Sequence, residues 1–138
     1  MRILITGSRR MKDPGPIRDA FWEWRAAFDE LEGPPLASIT VVHGAGPGDS
    51  ETGAPGCDQL TDEFFRKQFP EITVEPHPPL ESKFGRWPGA GPRRNEFMVE
   101  LGADVCLAFP CRRSKGTVDC YTKAIRAGIP TRVYPVRP

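Results

Sequence analysis

Cationic side chains recur beside glycine and small hydroxyls in three short stretches of this chain. They are "GSRR" at residues 7–10, "AGPRRNEFM" at 90–98 and "CRRSKGT" at 111–117. Together these residue types are suited to binding phosphate. Glycine lets backbone amides approach an anion closely. Amides at a helix start point toward it, and arginine presents a planar fork of donors. The candidate ligand residues are therefore Gly7, Ser8 and Arg9 in the first stretch and Arg94 and Asn95 in the second. In the third they are Ser114, Lys115, Gly116 and Thr117.

The second stretch poses an electrostatic question. It reads as a helix start that places Arg93 and Arg94 in the first turn. A helix N-terminus carries partial positive charge, so each cation there costs about 0.3–1 kcal/mol. A bound anion would turn that cost into a gain. The alternative is two solvated surface arginines. The anion reading is preferred because Arg9, Arg112, Arg113 and Lys115 fall on the same edge of the expected fold.

Other residues carry less on their own. "GSR" also reads as a tight turn, and Ser114 alone reads as a helix N-cap. Lys115-Gly116-Thr117 lacks the G-x-x-x-x-G-K-[ST] frame, and "HGAGPG" at 43–48 lacks G-x-G-x-x-G. His43 ends an apolar strand, where a satisfied strand-end histidine is the commoner outcome. Asp58 lies near a helix start, which favours a carboxylate whatever its role. Trp87 either stacks on a base or pins its loop, while Trp22 and Trp24 read as packing.

These residues are positioned by an alternation of short apolar runs and amphipathic segments. "RILITG", "SITVVHG", "ITVEPH", "ADVCLAFP" and "IPTRVYPV" read as strands, the continuous apolar ones as buried parallel strands. "IRDAFWEWRAAFDEL" places Ile17, Phe21, Trp24, Phe28 and Leu31 on one helical face. "CDQLTDEFFRKQF" turns Leu60 and Phe64 inward, with Phe65 beside them. "RRNEFMVELG" is closed by Gly102, and "GTVDCYTKAIRAG" carries Val118, Tyr121, Ala124 and Ile125 as its inner stripe. "PPLESKFGRWPGAGP" has no period and reads as a loop.

The expected architecture is α/β, one Rossmann-like domain over residues 1–138, with a doubly wound parallel sheet of about five strands in order 3-2-1-4-5. That order puts the switch point between strands one and four, and ligands bind there at the carboxyl ends of the strands. Every candidate stretch follows a strand and faces that crevice.

The bulk numbers bound the function. The 138 residues carry a formal net charge of +1, so no global field attracts nucleic acid or an anionic membrane. Any basic function must be local. The four cysteines, Cys57, Cys106, Cys111 and Cys120, include no C-x-x-C pair, and there are only two histidines. A structural zinc site is not expected, and neither is any metal or cofactor. No apolar run approaches the roughly 20 residues of a membrane span, and the N-terminus does not read as a signal peptide. A reducing cytoplasm and free thiols are expected, with Cys106 a core thiol.

The pieces "ITGSR", "HG" followed by "GAPGCDQL", "FGRWPGAGPRRNEFM", "GADVCLAFP", "SKGTVD" and "AIRAGIP" run in this order over nearly the whole chain. In them the chain resembles the YspA/cpYpsA-related branch of the SLOG superfamily. These are Rossmann-like relatives of the LOG (Lonely Guy) phosphoribohydrolases and of the DNA-processing protein A group. The resemblance implies a small-molecule ligand with nucleotide-like parts, phosphate or ribose-phosphate. LOG enzymes cleave the N-glycosidic bond of a nucleoside monophosphate. Their signature pairs an arginine and a lysine upstream of a P-G-G-x-G-T-x-x-E run. Arg94 falls at the arginine, which by that match makes it the ligand-facing candidate and Arg93 the solvated one; Asn95 replaces the lysine, while Pro110, Gly116 and Thr117 match the phosphate run with extra residues between. Cys120 stands at the glutamate position, and Asp119 precedes it. A second departure is the insert "AGPGDSET" at 45–52, expected as a lid or partner surface.

The leading expectation is a sensor or carrier domain for a nucleotide-related ligand. Arg9, Arg94 and the amides of 114–117 would hold phosphate, and Gly44, Gly56 and Asp58 would shape the ribose side. The alternative is an N-glycosidic hydrolase using Arg94 with Asp58 or Asp119, since such cleavage needs a carboxylate. A nucleic-acid accessory role is the third, disfavoured by the near-neutral charge. LOG relatives are commonly dimers, which makes a homodimer an open expectation.

Overall fold

The computed structural model describes residues 1–28 and 33–137. Five strands, β1 (Arg2–Gly7), β2 (Thr40–His43), β3 (Thr73–Pro76), β4 (Val105–Phe109) and β5 (Thr131–Val133), form one sheet in the order β3-β2-β1-β4-β5. All neighbours are parallel, with Ile3 beside Val41 on one flank and beside Val105 on the other. The α/β class and the 3-2-1-4-5 order expected from the sequence are those of the molecule.

Helices cover both faces. The chain winds outward from β1 to β3, then returns past β1 to β4 and β5. Right-handed crossovers therefore place the first helices on one face and the later ones on the other. On one face α1 (Gly15–Ala26) and α2 (Gly56–Gln68) supply Ile17, Phe21, Trp24 and Phe65 to a core with Ile3, Ile5 and Leu107. On the other, α4 (Ala90–Glu100) and α5 (Lys115–Arg126) bring Met98, Val99, Cys120 and Ala124 against Leu4, Val42 and Cys106. The alternation Ile3, Leu4, Ile5 divides between the two cores because successive strand residues point to opposite faces.

Several local expectations are corrected. The stretch expected to lack structure contains a one-turn helix, α3 (Glu81–Phe84). The helix expected from Arg93 begins at Ala90, so Arg93 and Arg94 lie beyond its first three residues. Pro92 misled that reading, yet proline is tolerated in a first turn, where its missing N–H has no partner to lose. The buried residues of α5 are Thr117, Cys120 and Ala124, with Tyr121 partly buried against the same core, so of the expected stripe Ala124 and Tyr121 face inward. Val118 and Ile125 are 43% and 54% exposed. The apolar spacing pointed to a phase about 100° away, one residue of rotation. In α2, Phe65 is the fully buried ring and Phe64 is half-buried. Leu31 lies outside the described residues. Among the described residues, no helix is long and apolar enough to cross a membrane.

Candidate functional site

The loops after β1, β2 and β4 meet at the carboxyl edge of the sheet and enclose, with the start of α4, a cleft of about 700 Å³. It sits over the β1–β4 junction, where the winding reverses. Its volume is within the roughly 300–1,000 Å³ of small-molecule sites.

The wall from β1 is fixed by close packing. A Cβ on Gly7 would lie 2.6 Å from Cys57 Sγ and 2.7 Å from Cys57 Cβ, so its missing side chain lets α2 dock on the end of β1. Ser8 is buried; its Oγ accepts from Arg10 N at 3.0 Å and lies 2.7 Å from Cys111 Sγ, tying this loop to the one after β4. Arg9 lines the cleft, its guanidinium 6.0 Å from the centre of the Trp87 ring. Trp87 stands at the rim, 51% exposed. Arg10 reaches Asp49 Oδ2 at 3.9 Å.

The β4 side carries the helix start. Ser114 occupies the N-cap position of α5 without capping it. Its Oγ instead accepts from Cys111 N at 2.9 Å, closing the turn 111–114. The Lys115 amide bonds Arg113 O at 3.0 Å and the Val118 amide bonds Ser114 O at 3.0 Å. Between them, the amides of Gly116 and Thr117 have no partner among the described residues, as the geometry of a helix start dictates. The Thr117 side chain is 4% exposed, lines the cleft, and makes no hydrogen bond to another described residue. No acidic side chain occupies this first turn.

Arg94 is a brace as well as a cleft residue. Its Nη1 donates to the carbonyls of Gly44 and of His77, the latter at 3.1 Å, and its Nε to Asn95 Oδ1 at 2.9 Å. Of the five donors of a guanidinium, those on Nη2 remain without a partner among the described residues. A Cβ on Gly44 would sit 2.7 Å from the guanidinium, so any side chain there would push the arginine from this position. Burial lowers the Arg94 pKa, and the nearby Asp58 charge opposes that shift. Asn95 is buried and spends its Nδ2 on Gly116 O (3.2 Å) and Asp119 Oδ2 (3.0 Å), stitching α4 to α5. Arg93, expected to be solvated, is exposed but bonds the carbonyls of Phe84 and Arg86, holding the loop that carries Trp87.

Three carboxylates line the cleft, Asp49, Asp58 and Asp119. Asp58 Oδ2 accepts from Gly46 N at 2.8 Å. Burial pushes its carboxyl above the ordinary range, against the Gly46 amide and the charges of His43 and Arg94. Asp119 Oδ2 is held by Asn95 and by Lys123 Nζ at 3.0 Å. The insert at 45–52 contributes Gly46, Pro47 and Asp49 to the cleft wall and is pinned by a bridge between Asp49 and Ala54.

Of the residues selected from the sequence, Gly7, Ser8, Arg9, Gly44, Asp58 and Arg94 lie in the lining. So do Asn95, Ser114, Lys115, Gly116, Thr117 and Asp119. His43, Gly56 and Pro110 do not. His43 is buried with Nε2 at 2.7 Å from Asp62 Oδ2 and Nδ1 accepting from Ala45 N at 3.0 Å. The sequence reading missed Cys57 and Cys111 as lining residues. Their positions, at the start of α2 and directly after β4, carried the signal. Among the described residues no group of three or more His, Cys, Asp or Glu side chains could hold a metal ion.

No family model matches the chain, and no solved structure does. The chain is similar to the Gene 61 protein of Mycobacterium phage D29, 41% identical over 134 residues that cover 94% of this chain and 92% of that one. With identity that high over nearly all of both sequences, the chain belongs to the family of that phage Gene 61 protein.

Proposed function

We propose that the cleft binds a nucleotide-related ligand through its phosphate and that the protein acts as a sensor or carrier of that ligand. One observation carries this reading. The start of α5 presents two unpartnered amides and the hydroxyl of the buried Thr117, which bonds no described residue, to a cleft that arginine also lines. An anion satisfies these donors and the partial positive charge of the helix end together. Arg9, Lys115 and Nη2 of Arg94 supply the counter-charge. Gly44, Asp58 and Trp87 lie on the side left for the sugar and base. The resemblance to SLOG proteins supports the same ligand class.

A second reading is N-glycosidic hydrolysis. It is favoured by Asp58, a cleft carboxyl whose pKa burial raises, the direction that favours a proton donor. Asp119 and Asp49 are the other carboxylates that line the cleft.

One incubation separates the two. Purified protein is mixed with nucleoside monophosphates, NAD and ADP-ribose, and both the melting temperature and free base are measured. A shift without base release supports binding alone. Release that disappears in Asp58→Asn or Asp119→Asn supports hydrolysis. If no nucleotide shifts the melting temperature, the phosphate site is refuted.

A further inference from the structure

A second void of about 540 Å³ lies on the far side of the α5 start and shares Cys111, Arg113, Ser114, Lys115 and Asp119 with the cleft. The first turn of α5 is thus a common wall. From there the groove follows one face of the helix, along Lys115, Val118, Thr122, Lys123 and Arg126, residues spaced three or four apart or in register with them.

The groove is cationic. Arg113, Lys115, Lys123 and Arg126 line it, against the single carboxylate of Asp119. That carboxylate is already held by Lys123 and Asn95. Among the described residues Arg113, Lys115 and Arg126 form no ion pair. In a chain of net charge +1 this concentration is local. Lys123 and Arg126 suit the C-terminal end of the helix dipole. Arg113 and Lys115 flank the N-terminal end, where a cation is disfavoured unless an anion accompanies it. Thr117 lines the cleft and not the groove, so it belongs to the phosphate site proposed above.

The geometry points to a polyanion subsite in this groove, continuous with the cleft, so that the ligand is a nucleotide carrying a further phosphate beyond the one at the start of α5. The inference rests on the phosphate site proposed above. Lys115 and Arg126 are separated by roughly 16 Å along the helix axis at 1.5 Å per residue. One phosphate cannot meet both ends. A pyrophosphate-linked dinucleotide places its second phosphate at the Arg113 and Lys115 end, and a phosphodiester-linked oligonucleotide extends from there toward Arg126.

The test titrates the full chain with adenosine 5′-monophosphate, a pyrophosphate-linked diadenosine and a 5′-phosphorylated triadenylate. Wild type is expected to bind at least one of the longer ligands about tenfold or more tightly than the monophosphate. Arg113→Gly, which keeps the left-handed backbone of that residue (φ 66°), is expected to remove most of the advantage of either longer ligand. Arg126→Gln should leave the monophosphate unchanged. If the triadenylate is the preferred ligand, Arg126→Gln lowers its salt slope by about 0.7, the value of one lost phosphate contact on a single strand. Preference for the diadenosine over the triadenylate assigns the small-molecule source, and the reverse assigns the nucleic-acid end. Equal affinity for all three ligands overturns the groove and leaves the cleft standing. An Arg113→Gly that spares the preference also overturns it. Absence of binding by any of the three overturns both.

Discussion

Thr117→Val tests the phosphate site with little disturbance of the fold. Valine has nearly the shape of threonine, and the two have similar helix propensity. The hydroxyl bonds no described residue, so its removal breaks no internal hydrogen bond. Stability is expected to change by no more than about 0.5 kcal/mol. For a chain of this length that is within about 2 °C of melting temperature. Affinity behaves differently. A hydrogen bond to a charged group is worth about 1.5–3 kcal/mol, so loss of the hydroxyl weakens binding of a nucleoside monophosphate by about 10- to 150-fold. The assay is a ligand titration followed by calorimetry, paired with thermal unfolding of the free protein. Two results refute the reasoning. Unchanged affinity in a folded variant removes the hydroxyl from the anion site. A fall in melting temperature well beyond 2 °C shows that the hydroxyl serves the fold.

Further outcomes follow from the same geometry. Gly7→Ala drives a Cβ to 2.6 Å from the buried Cys57 Sγ; overpacking of about 1–3 kcal/mol lowers the melting temperature by roughly 3–10 °C, and an unchanged value contradicts the tight α2–β1 contact. Asp58 has a folded-state pKa raised by burial, so its stabilising contribution is complete below the unfolded value of about 3.9 and is lost as pH rises through the folded value. Urea midpoints of wild type minus Asp58→Asn should therefore fall with rising pH just above the carboxylate range, and a flat difference from about pH 4 to 7 rejects the shift. Glu75 has the opposite sign. Arg2, bonded to it at 2.7 Å, and then His77 hold its pKa down to about 2, so its contribution is present above 4.5 and lost as pH falls toward 2. Glu75→Gln should flatten that acid limb. Iodoacetamide should modify Cys111 in the native protein well before Cys57, Cys106 and Cys120. The last three are buried, and burial pushes the Cys120 thiol up to about 12. Comparable labelling of all four by mass spectrometry counts against the packing of the two cores.

The sheet was legible because its central strands are continuous apolar runs bounded by glycine or proline. "RILITG" coincides with β1 to the residue, and "ADVCLAFP" contains β4. The carboxyl-edge location of the candidate site followed from strand order alone. Helix boundaries and phase were harder to read. Gly89, Gly91 and Pro92 suggested a loop where α4 begins, because composition does not show that a proline sits in a first turn. In α5 the buried stripe holds Thr117 and Cys120 while valine and isoleucine face outward, so hydrophobic spacing gave the wrong rotation. The cleft behind α5 wants a hydroxyl and the close sheet wants a small thiol, and neither raises the apolar signal. The role of Arg94 was partly legible. Its place at the site followed from its neighbours, but its bonds to the Gly44 and His77 carbonyls depend on chain segments 50 and 17 residues away.

The contact between Ser8 and Cys111 spans 103 residues of chain, and the parallel pair β1–β4 beneath it spans a comparable distance. Such pairing forms late, because a long loop must close before any contact rewards it. The cleft is complete only when β1 and β4 are paired. A ligand held there acts on the completed molecule alone: at 100 times its dissociation constant it adds about 2.7 kcal/mol to stability. Where contacts form after the folding transition state, that gain appears as slower unfolding with an unaltered refolding rate. Occupancy would then set the lifetime of the folded protein, a kinetic output that needs no moving part.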